Sequence, residues 1–254
     1  MFKILKAKEL TTHIYLMEVE AKRIAKNCLP GQFIIARKDA DSERIPLTIC
    51  DYDRENGTIT IVFQIVGAST MMMSSLKEGD YFHDFVGPLG CPSEFTKEDL
   101  DSLKQKKILF VAGGVGTAPV YPQVKWLHEN GIEADVIVGA KNKDLLILEE
   151  QMKAVAGNLY VTTDDGSYGR SGMVTQVIKD LYAEGKKYDV CVAIGPMIMM
   201  KFVCLQTKEL GLPTIVSLNP IMVDGTGMCG ACRVSVGGKT KFACVDGPEF
   251  DGHE

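Results

Sequence analysis

The sequence predicts a β barrel, then an α/β domain with a doubly wound parallel sheet, then a small hairpin domain. Three observations predict this fold class. Short strand patterns separated by turn residues fill the first part of the chain, and apolar strand patterns alternate with helical patterns in the middle. Glycines and cysteines gather near the end. We place the three predicted domains at residues 1–95, 105–218 and 219–254.

The first domain is predicted to be an antiparallel barrel of six strands with one helix before the last strand. Turn signals such as Pro30-Gly31 and Asn56-Gly57 separate its strand patterns. The predicted strands are 2–8, 13–20, 32–38, 45–51, 58–66 and 81–86, and the predicted helix is 69–77. The polar segment 96–107 is predicted to link this barrel to the next domain.

The second domain alternates strand and helix patterns. Strands are predicted at 108–112, 134–138, 159–163, 189–194 and 213–218, and helices at 119–130, 145–156, 173–184 and 197–210. Five apolar strands with helical crossovers predict a doubly wound parallel sheet.

Three glycine-bearing loops follow strands of this predicted sheet, where ligands of such sheets bind. They are GGVGTAP at 113–119, DDGSYGRSG at 164–172 and GPMIMM at 195–200. Glycines let the backbone approach a pyrophosphate, and the helix that opens after the first loop favours negative charge at its N-terminus. Each loop alone is also compatible with an ordinary tight turn, but together they predict a nucleotide crevice.

The last domain carries Cys229, Cys232 and Cys244 in a C-x2-C-x11-C pattern, and four residues separate Asp224 from the first cysteine. A plant-type iron–sulfur site has another cysteine at that upstream position. Gly237-Gly238 predicts a hairpin turn that returns Cys244 to Cys232. We therefore predict a [2Fe-2S] site with one carboxylate ligand. A structural zinc ion, or three thiols without metal, are the alternatives.

Composition excludes several classes of protein. The net charge of −5 argues against a nucleic-acid surface, and no apolar run approaches a membrane span or a signal peptide. We therefore predict a cytoplasmic protein. Eight cysteines, three of them clustered, do not form the pattern of a secreted disulfide framework. The remaining five are predicted to be small core residues: Cys28, Cys50, Cys91, Cys191 and Cys204.

The barrel contains one more notable string, RIPLT at 44–48, in which Arg44 offers a bidentate fork to a phosphate. Taken alone, an arginine at the start of a strand is more often a solvated charge. With GGVGTAP and GPMIMM in the second domain, the chain resembles the ferredoxin-NADP reductase superfamily over essentially its whole length. The terminal segment narrows the resemblance to the branch containing dihydroorotate dehydrogenase electron-transfer subunits, which have a fourth cysteine where this chain has Asp224. Because it has Asp224 together with the motifs TTDDGSYGRSG and MCGAC, the chain is more similar to another group than to those electron-transfer subunits. This group is the small subunits of electron-bifurcating NADH-dependent reduced ferredoxin:NADP oxidoreductases, also described as sulfide dehydrogenase subunits.

The resemblance implies FAD on the barrel, NAD(H) on the sheet and a [2Fe-2S] cluster in the terminal segment. Arg44 would meet the FAD pyrophosphate and Thr48 the flavin ring, while Ala68 and Ser69 depart from the lysine-glycine pair commoner in the family. The residues implied for FAD are Arg44, Pro46, Leu47, Thr48, Gly67, Ser69 and Thr70. Those implied for NAD(H) are Gly113, Gly114, Gly116, Thr117, Asp164, Asp165, Gly166, Gly195, Pro196 and Met197, and the implied cluster ligands are Asp224, Cys229, Cys232 and Cys244.

The implied activity is that of an oxidoreductase subunit in which hydride passes between NAD(H) and flavin, and single electrons pass through the cluster. Thr48, Gly195 and Pro196 would position the hydride transfer, and the four histidines share no motif that would predict acid–base catalysis. The acidic pair Asp164-Asp165 favours NAD(H) over NADP(H), since a carboxylate repels a 2′-phosphate.

The implied partner is a large subunit with a second FAD, [4Fe-4S] clusters and the NADP(H) site, in a heterodimer that reaches ferredoxin through that subunit. Three other functions remain open at this point. They are an electron-transfer subunit of dihydroorotate dehydrogenase, a stand-alone NADH:acceptor reductase, and a redox-sensing binding module.

Overall fold

A computed structural model describes all residues, 1–254, and divides into two compact units. The barrel unit contains Met1–Ser93 and Leu218–Glu249, and the sheet unit contains Glu94–Ser217 and Phe250–Glu254. Residues 219–249 of the terminal segment, which contain all of its cysteines, therefore belong to the same unit as the first part of the chain. None of the helices has the length and hydrophobicity needed to cross a membrane.

The barrel unit contains an antiparallel sheet of seven strands in the order β6-β1-β2-β5-β4-β3-β7. They are β1 (Phe2–Thr11), β2 (Ile14–Glu20), β3 (Phe33–Arg37), β4 (Ile45–Asp53), β5 (Thr58–Gln64), β6 (Tyr81–Phe82) and β7 (Asp84–Leu89). The single strand predicted at 81–86 is two strands, because residues 81–82 pair with β1 whereas β7 pairs with β3. Since β6 and β7 are the two ends of the sheet and adjoin in sequence, the sheet nearly closes into the predicted barrel.

Alternating apolar residues fill the interior of this barrel, as the period of a strand requires. In β5, for example, Ile59, Ile61 and Phe63 are buried at every second position. Two short helices accompany the strands, α1 (Lys22–Asn27) and α2 (Ala68–Ser74). The second was predicted, and the first was not, because six residues are too few to show a helical period.

The sheet unit confirms the predicted parallel sheet and adds two short strands at its edges. Its strands are β8 (Ile108–Gly113), β9 (Ala134–Ala140), β10 (Asn158–Thr163), β11 (Arg170–Ser171), β12 (Val190–Ile194) and β13 (Thr214–Ser217). After the hairpin strands β14 (Arg233–Val236) and β15 (Lys239–Phe242), the chain returns as β16 (Glu249–Asp251). The sheet order is β11-β10-β9-β8-β12-β13-β16, in which β8 to β13 pair in parallel.

Five helices accompany this sheet: α3 (Leu100–Leu103), α4 (Thr117–Glu129), α5 (Glu149–Val155), α6 (Val174–Ala183) and α7 (Met197–Glu209). The first of them lies in the polar segment predicted as a linker. Leu103 of α3 and the preceding Phe95 are both buried in the core of the sheet unit. The segment therefore packs as part of that unit.

The hairpin of the terminal segment confirms the turn predicted from Gly237-Gly238. Val236 of β14 pairs with Lys239 of β15, so these two glycines are the whole turn. Their φ angles of 55° and 72° are the positive values that a two-residue hairpin turn of this kind requires. The turn brings the end of β15, and with it Cys244, back beside Cys232.

A polar cluster near the amino ends of the parallel strands centres on Asp135, the second residue of β9. Its carboxylate accepts hydrogen bonds from Lys186 Nζ at 2.9 Å, Tyr188 Oη at 2.7 Å and Asn158 Nδ2 at 2.7 Å. Burial acts to raise the pKa of Asp135, but these hydrogen bonds outweigh it and hold the pKa below its ordinary value.

Replacing Asp135 with alanine is expected to lower the free energy of unfolding by about 2–3 kcal/mol, because three polar partners lose their acceptor. Trp126 is the only tryptophan and lies in the sheet unit, so its fluorescence during urea unfolding of flavin-free protein measures this loss. A carboxyl with a lowered pKa contributes its full stability above the unfolded pKa and loses it as pH falls toward the folded pKa, so the difference should shrink below about pH 4. The control Asp180→Ala removes a half-exposed ion pair with Arg170 and should cost under about 0.5 kcal/mol. Equal losses in both variants would contradict this account.

Candidate functional site

The predicted flavin segment lies at the start of β4, in the barrel unit. Pro46 pairs with Ile35 of β3, while β5 pairs with β4 only from Ile49 onward. One side of residues 44–48 is therefore free of ladder bonds, which explains why proline is tolerated there. A cleft of 540 Å³ opens beside this segment. It is lined by Arg37, Ser42, Glu43, Arg44, Ile45 and Pro46 on the barrel and by residues 219–223 of the terminal segment.

The second predicted flavin segment, Gly67 to Thr70, is brought close to the first. The hydroxyl of Ser69 at the start of α2 donates to the carboxylate of Glu43, the neighbour of Arg44. Thr70 is buried, and its Oγ1 accepts from the amides of Val66 and Gly67 at 3.0 and 3.2 Å. The Thr70 hydroxyl is thus used within its own turn.

Arg44 is held by two partners inside the barrel unit. Its Nε donates to the carbonyl oxygen of Val223 at 2.7 Å, and its Nη1 donates to Asp84 Oδ2 at 3.2 Å. Arg37 Nε lies 2.8 Å from the same Asp84 oxygen. Burial acts to raise the pKa of Asp84, but the hydrogen bond from His83 and the charge of Arg37 outweigh it and hold the pKa below its ordinary value. Two guanidinium groups therefore meet at one carboxylate beside the cleft.

The loops after β8 and β12 contact each other because these two strands are neighbours in the sheet. A Cβ on Gly116 would lie 2.2 Å from the carbonyl oxygen of Ile194, so only glycine fits there. A Cβ on Gly195 would lie 3.0 Å from Gly113 Cα. Thr117 is buried at the start of α4, and its hydroxyl donates to the Gly114 carbonyl at 2.9 Å.

These contacts bring most of the predicted NAD(H) residues together at the carboxyl ends of the two strands. Pro196 lies 3.0 Å from where a Cβ on Gly113 would be, and Met197 begins α7 with an exposed side chain. The residues gathered there are Gly113, Gly114, Gly116, Thr117, Gly195, Pro196 and Met197. Backbone groups at the start of two helices are suited to an anionic, phosphate-bearing ligand.

The acidic loop Asp164 to Gly166 follows β10 and lies two strand spacings from the loop after β8, or about 10 Å. Asp165 accepts from the Ser167 amide at 2.9 Å, and the hydrogen bonds from Ser167 hold its pKa below the ordinary value. Three cations lie near this loop, Lys141, Lys143 and Arg170, and the last two have partners of their own. Lys143 lies over the Tyr168 ring, and Arg170 pairs with Asp180. Asp164 and Asp165 give the loop two carboxylates, which suit a ribose 2′-hydroxyl better than a 2′-phosphate.

Two of the predicted cluster ligands touch. Cys232 Sγ and Cys244 Sγ lie 3.2 Å apart as free thiols, and both side chains are buried. Burial and the adjacent Cys232 thiol raise the pKa of Cys244 to about 11. Asp224 accepts from the Thr226 amide through Oδ1 and from the Cys229 amide through Oδ2, each at 2.8 Å. These bonds, the Thr226 amide first, hold the pKa of the Asp224 carboxyl low.

The four predicted ligands thus lie on one short stretch of chain, although no three of them stand in an arrangement that would by itself hold a single metal ion. Their chemistry fits an iron–sulfur centre. Cys232 and Cys244 are paired thiols in an apolar setting, Cys229 is exposed nearby, and Asp224 is joined to Cys229 through a backbone hydrogen bond. The ligand set remains a prediction.

Two features of this site were not found from the sequence. Cys91 was expected in the core, but it is only half-buried, and its thiol donates to the carbonyl of Val245, next to Cys244, at 3.2 Å. Cys204 is likewise only half-buried, whereas Cys28, Cys50 and Cys191 are in the core as predicted. The bond from Arg44 to Val223 joins residues 179 positions apart, and no local pattern indicates it.

Comparison with known proteins finds family matches in both the middle and the end of the chain. Residues 110–205 match the family model of the oxidoreductase NAD-binding domain, and residues 219–254 match that of the iron–sulfur cluster binding domain of dihydroorotate dehydrogenase B. The chain is 34% identical over 253 residues to the electron transfer subunit of dihydroorotate dehydrogenase B (NAD(+)) from Streptococcus pneumoniae strain R6, covering 98% of this chain and 94% of the relative. A homologue of that subunit from Thermotoga maritima is 46% identical, covering 99% of this chain and 86% of the relative.

The fold and site thus define an electron-transfer oxidoreductase with NAD(H), FAD and [2Fe-2S] as its cofactors, and the chain belongs to the family of dihydroorotate dehydrogenase B electron-transfer subunits and their homologues. Within this family it is similar to a particular solved structure, that of NADH-dependent reduced ferredoxin-NADP oxidoreductase, determined for insight into flavin-based electron bifurcation. The TM-score is 0.91 at 45% identity, covering 99% of this chain and 88% of the other.

Proposed function

We propose that this chain is the small subunit of an electron-bifurcating NADH-dependent reduced ferredoxin:NADP oxidoreductase, and that it passes electrons between NAD(H), FAD and a [2Fe-2S] cluster to or from a larger subunit. One observation carries the proposal. The cleft beside the predicted flavin segment is lined by residues 44–46 and also by residues 219–223, which lead directly into the predicted cluster loop. The similarity to the bifurcating oxidoreductase structure supports the same conclusion.

The proposed roles follow the chemistry of each segment. Arg44 offsets the charge of the FAD pyrophosphate, while the Thr48 hydroxyl and the backbone of Pro46 and Leu47 orient the polar edge of the ring. Gly67, Ser69 and Thr70 supply a second contact to FAD. The glycine loops after β8 and β12 let the backbone approach the NAD(H) phosphates and nicotinamide, and Asp164, Asp165 and Gly166 meet the ribose. Asp224, Cys229, Cys232 and Cys244 hold the cluster.

Bound FAD supplies the exchange between a hydride and single electrons. This chain's residues bind and orient the groups that react, with Thr48, Gly195 and Pro196 positioning the hydride transfer. No proton has to be moved by a side chain during hydride transfer itself. The absence of a histidine or carboxylate motif for acid–base catalysis therefore agrees with the proposed chemistry.

The family's electron-transfer subunits imply a larger partner subunit. We propose that this partner carries a second FAD, [4Fe-4S] clusters and the NADP(H) site, and that ferredoxin is reached through it. Apolar side chains near the predicted cluster support a docking surface there. Met228 is 89% exposed and Ile221 75% exposed, and Cys229 is exposed beside Met228. Eight free cysteines suit a reducing compartment, and we place the protein in the cytoplasm.

One alternative has its own support. The family model that matches residues 219–254 is that of dihydroorotate dehydrogenase B, which favours a role as the electron-transfer subunit of that enzyme. The substitution of Asp224 for a fourth cysteine argues for the bifurcating complex instead.

The experiment is anaerobic purification from the native host, identification of the co-purified subunit, and titration with NADH and with NADPH. We expect a large flavin and iron–sulfur subunit, bleaching of flavin absorbance by NADH at lower concentration than by NADPH, and the EPR signal of a reduced [2Fe-2S] centre. A dihydroorotate dehydrogenase catalytic subunit in the preparation would establish the alternative. An active monomer would indicate a stand-alone NADH:acceptor reductase, and a missing two-iron signal would refute the central proposal.

A further inference from the structure

The loop that contains Asp224 contacts the barrel at the residue before Asp224 and at the residue after it. On one side, the Val223 carbonyl accepts the hydrogen bond from Arg44 Nε at 2.7 Å. On the other, Gly225 has a φ of 76°, and a Cβ there would lie 2.7 Å from Ile35 Cδ1 and 2.8 Å from Leu89 Cδ1. The barrel therefore fixes the two peptide units from which the Asp224 side chain projects.

The Arg44 side chain is itself held in place by an ion pair with Asp84. Its Nη1 donates to Asp84, and the two side chains are only 27% and 24% exposed. An ion pair that is partly removed from water holds its geometry better than a fully exposed pair, whose two long side chains remain mobile. The guanidinium that reaches Val223 is thus kept in place by a side chain of β7.

A guanidinium has five N–H donors, of which this arrangement uses the one on Nε and one on Nη1. Nη2 has no hydrogen-bond partner within the protein. Because Arg44 also lines the cleft, Nη2 is available to a phosphate without loss of the bond to Val223. One side chain can therefore serve both sites at once.

We propose that Arg44 is a positioning residue for the iron–sulfur centre, and that it couples occupancy of the flavin phosphate site to the placement of Asp224. A phosphate on Nη2 restrains the guanidinium, which restrains Val223 and the carboxylate that follows it. Since binding free energies at coupled sites are reciprocal, a formed cluster also tightens the flavin site. This inference rests on the proposed cofactor set of the barrel unit.

The test compares anaerobically reconstituted protein with and without added FAD. The variant Arg44→Lys keeps a positive charge but cannot span Val223, Asp84 and a phosphate together. We expect a chelator to remove iron from the flavin-free variant about tenfold faster than from wild type, the effect of losing one hydrogen bond to a charged donor. Its EPR g values should also shift. FAD should slow iron removal in wild type and leave the rate in Arg44→Lys unchanged.

Two variants serve as controls. Thr48→Ala is expected to weaken FAD binding while leaving iron removal and g values of the flavin-free protein as in wild type. Arg23→Lys makes the same substitution at an exposed position on α1 and should behave as wild type throughout. If Arg44→Lys does not fold, Asp84→Asn weakens the ion pair with Arg44 in place, and we expect a smaller acceleration of iron removal.

The outcomes separate the two proposals. A wild-type protein that forms no [2Fe-2S] signal refutes the proposed function. A normal wild-type cluster, with iron removal and EPR spectra unchanged in both Arg44→Lys and Asp84→Asn, overturns the coupling alone. Equal acceleration in Arg44→Lys and Thr48→Ala would assign the effect to the flavin site in general and also overturn it.

Discussion

Replacing Cys244 with alanine is expected to abolish the [2Fe-2S] centre. The Cys244 sulfur is buried and lies 3.2 Å from the sulfur of Cys232. Burial and the adjacent Cys232 thiol raise the pKa of Cys244 to about 11, so this thiol is protonated at neutral pH. A cluster binds cysteines as thiolates, so the Cys244 thiol would give up its proton when it bonds to iron. Loss of groups that merely support metal ligands costs 10–100-fold in affinity, so loss of this ligand should cost more than about 100-fold. Iron content and EPR of the reconstituted protein measure the result.

The matched control is Cys91→Ala in the same unit. Cys91 is also a free cysteine beside the terminal segment, but its thiol donates to the Val245 carbonyl and is not among the predicted ligands. This variant should keep its cluster, with iron content close to that of wild type. Full iron content in Cys244→Ala, or loss of iron in Cys91→Ala alone, would show that the ligand set is wrong.

Replacing Asp224 with cysteine is expected to keep the cluster but lower its reduction potential, on the order of 100 mV, because a thiolate donates more charge to iron than a carboxylate does. Asp224→Ala should instead lose most of the iron. That variant removes the proposed ligand and also the acceptor of the Thr226 and Cys229 amides, so the loop loses its local order. Redox titration followed by EPR compares the variants.

The control Asp246→Ala distinguishes the two roles proposed for Asp224, ligation of iron and ordering of the loop through backbone hydrogen bonds. Asp246 accepts from the Phe242 amide at 2.7 Å, so it holds a turn in the same segment without being a predicted ligand. We expect its removal to leave the cluster potential unchanged. An Asp224→Cys protein with wild-type potential and EPR spectrum would mean that Asp224 only shapes the loop.

Predictions from local pattern succeeded where neighbouring residues decide the structure. Short strand patterns between turn residues predicted the main strands of the barrel, and apolar runs between helical patterns predicted the five main strands of the parallel sheet. Gly237-Gly238 predicted the hairpin of the terminal segment. Prediction failed where a segment is too short for a period, as in α1, or where one run divides between two partners, as at residues 81–89. Burial of Leu103 in the segment expected to be a linker depends on packing that no local pattern contains.

In the candidate site, too, some features follow from the local sequence and others from the tertiary structure. The order of domains, the glycine loops and the spacing of Asp224, Cys229, Cys232 and Cys244 are properties of the chain itself. They predicted a nucleotide crevice and a [2Fe-2S] site, and the family resemblance added FAD. Tertiary structure alone decided that the terminal segment joins the barrel unit and that Arg44 reaches Val223. The physical reason is that hydrogen bonds and close packing depend on distance in space. Arg44 and Val223 are 179 positions apart in sequence, so no local pattern could indicate that they meet.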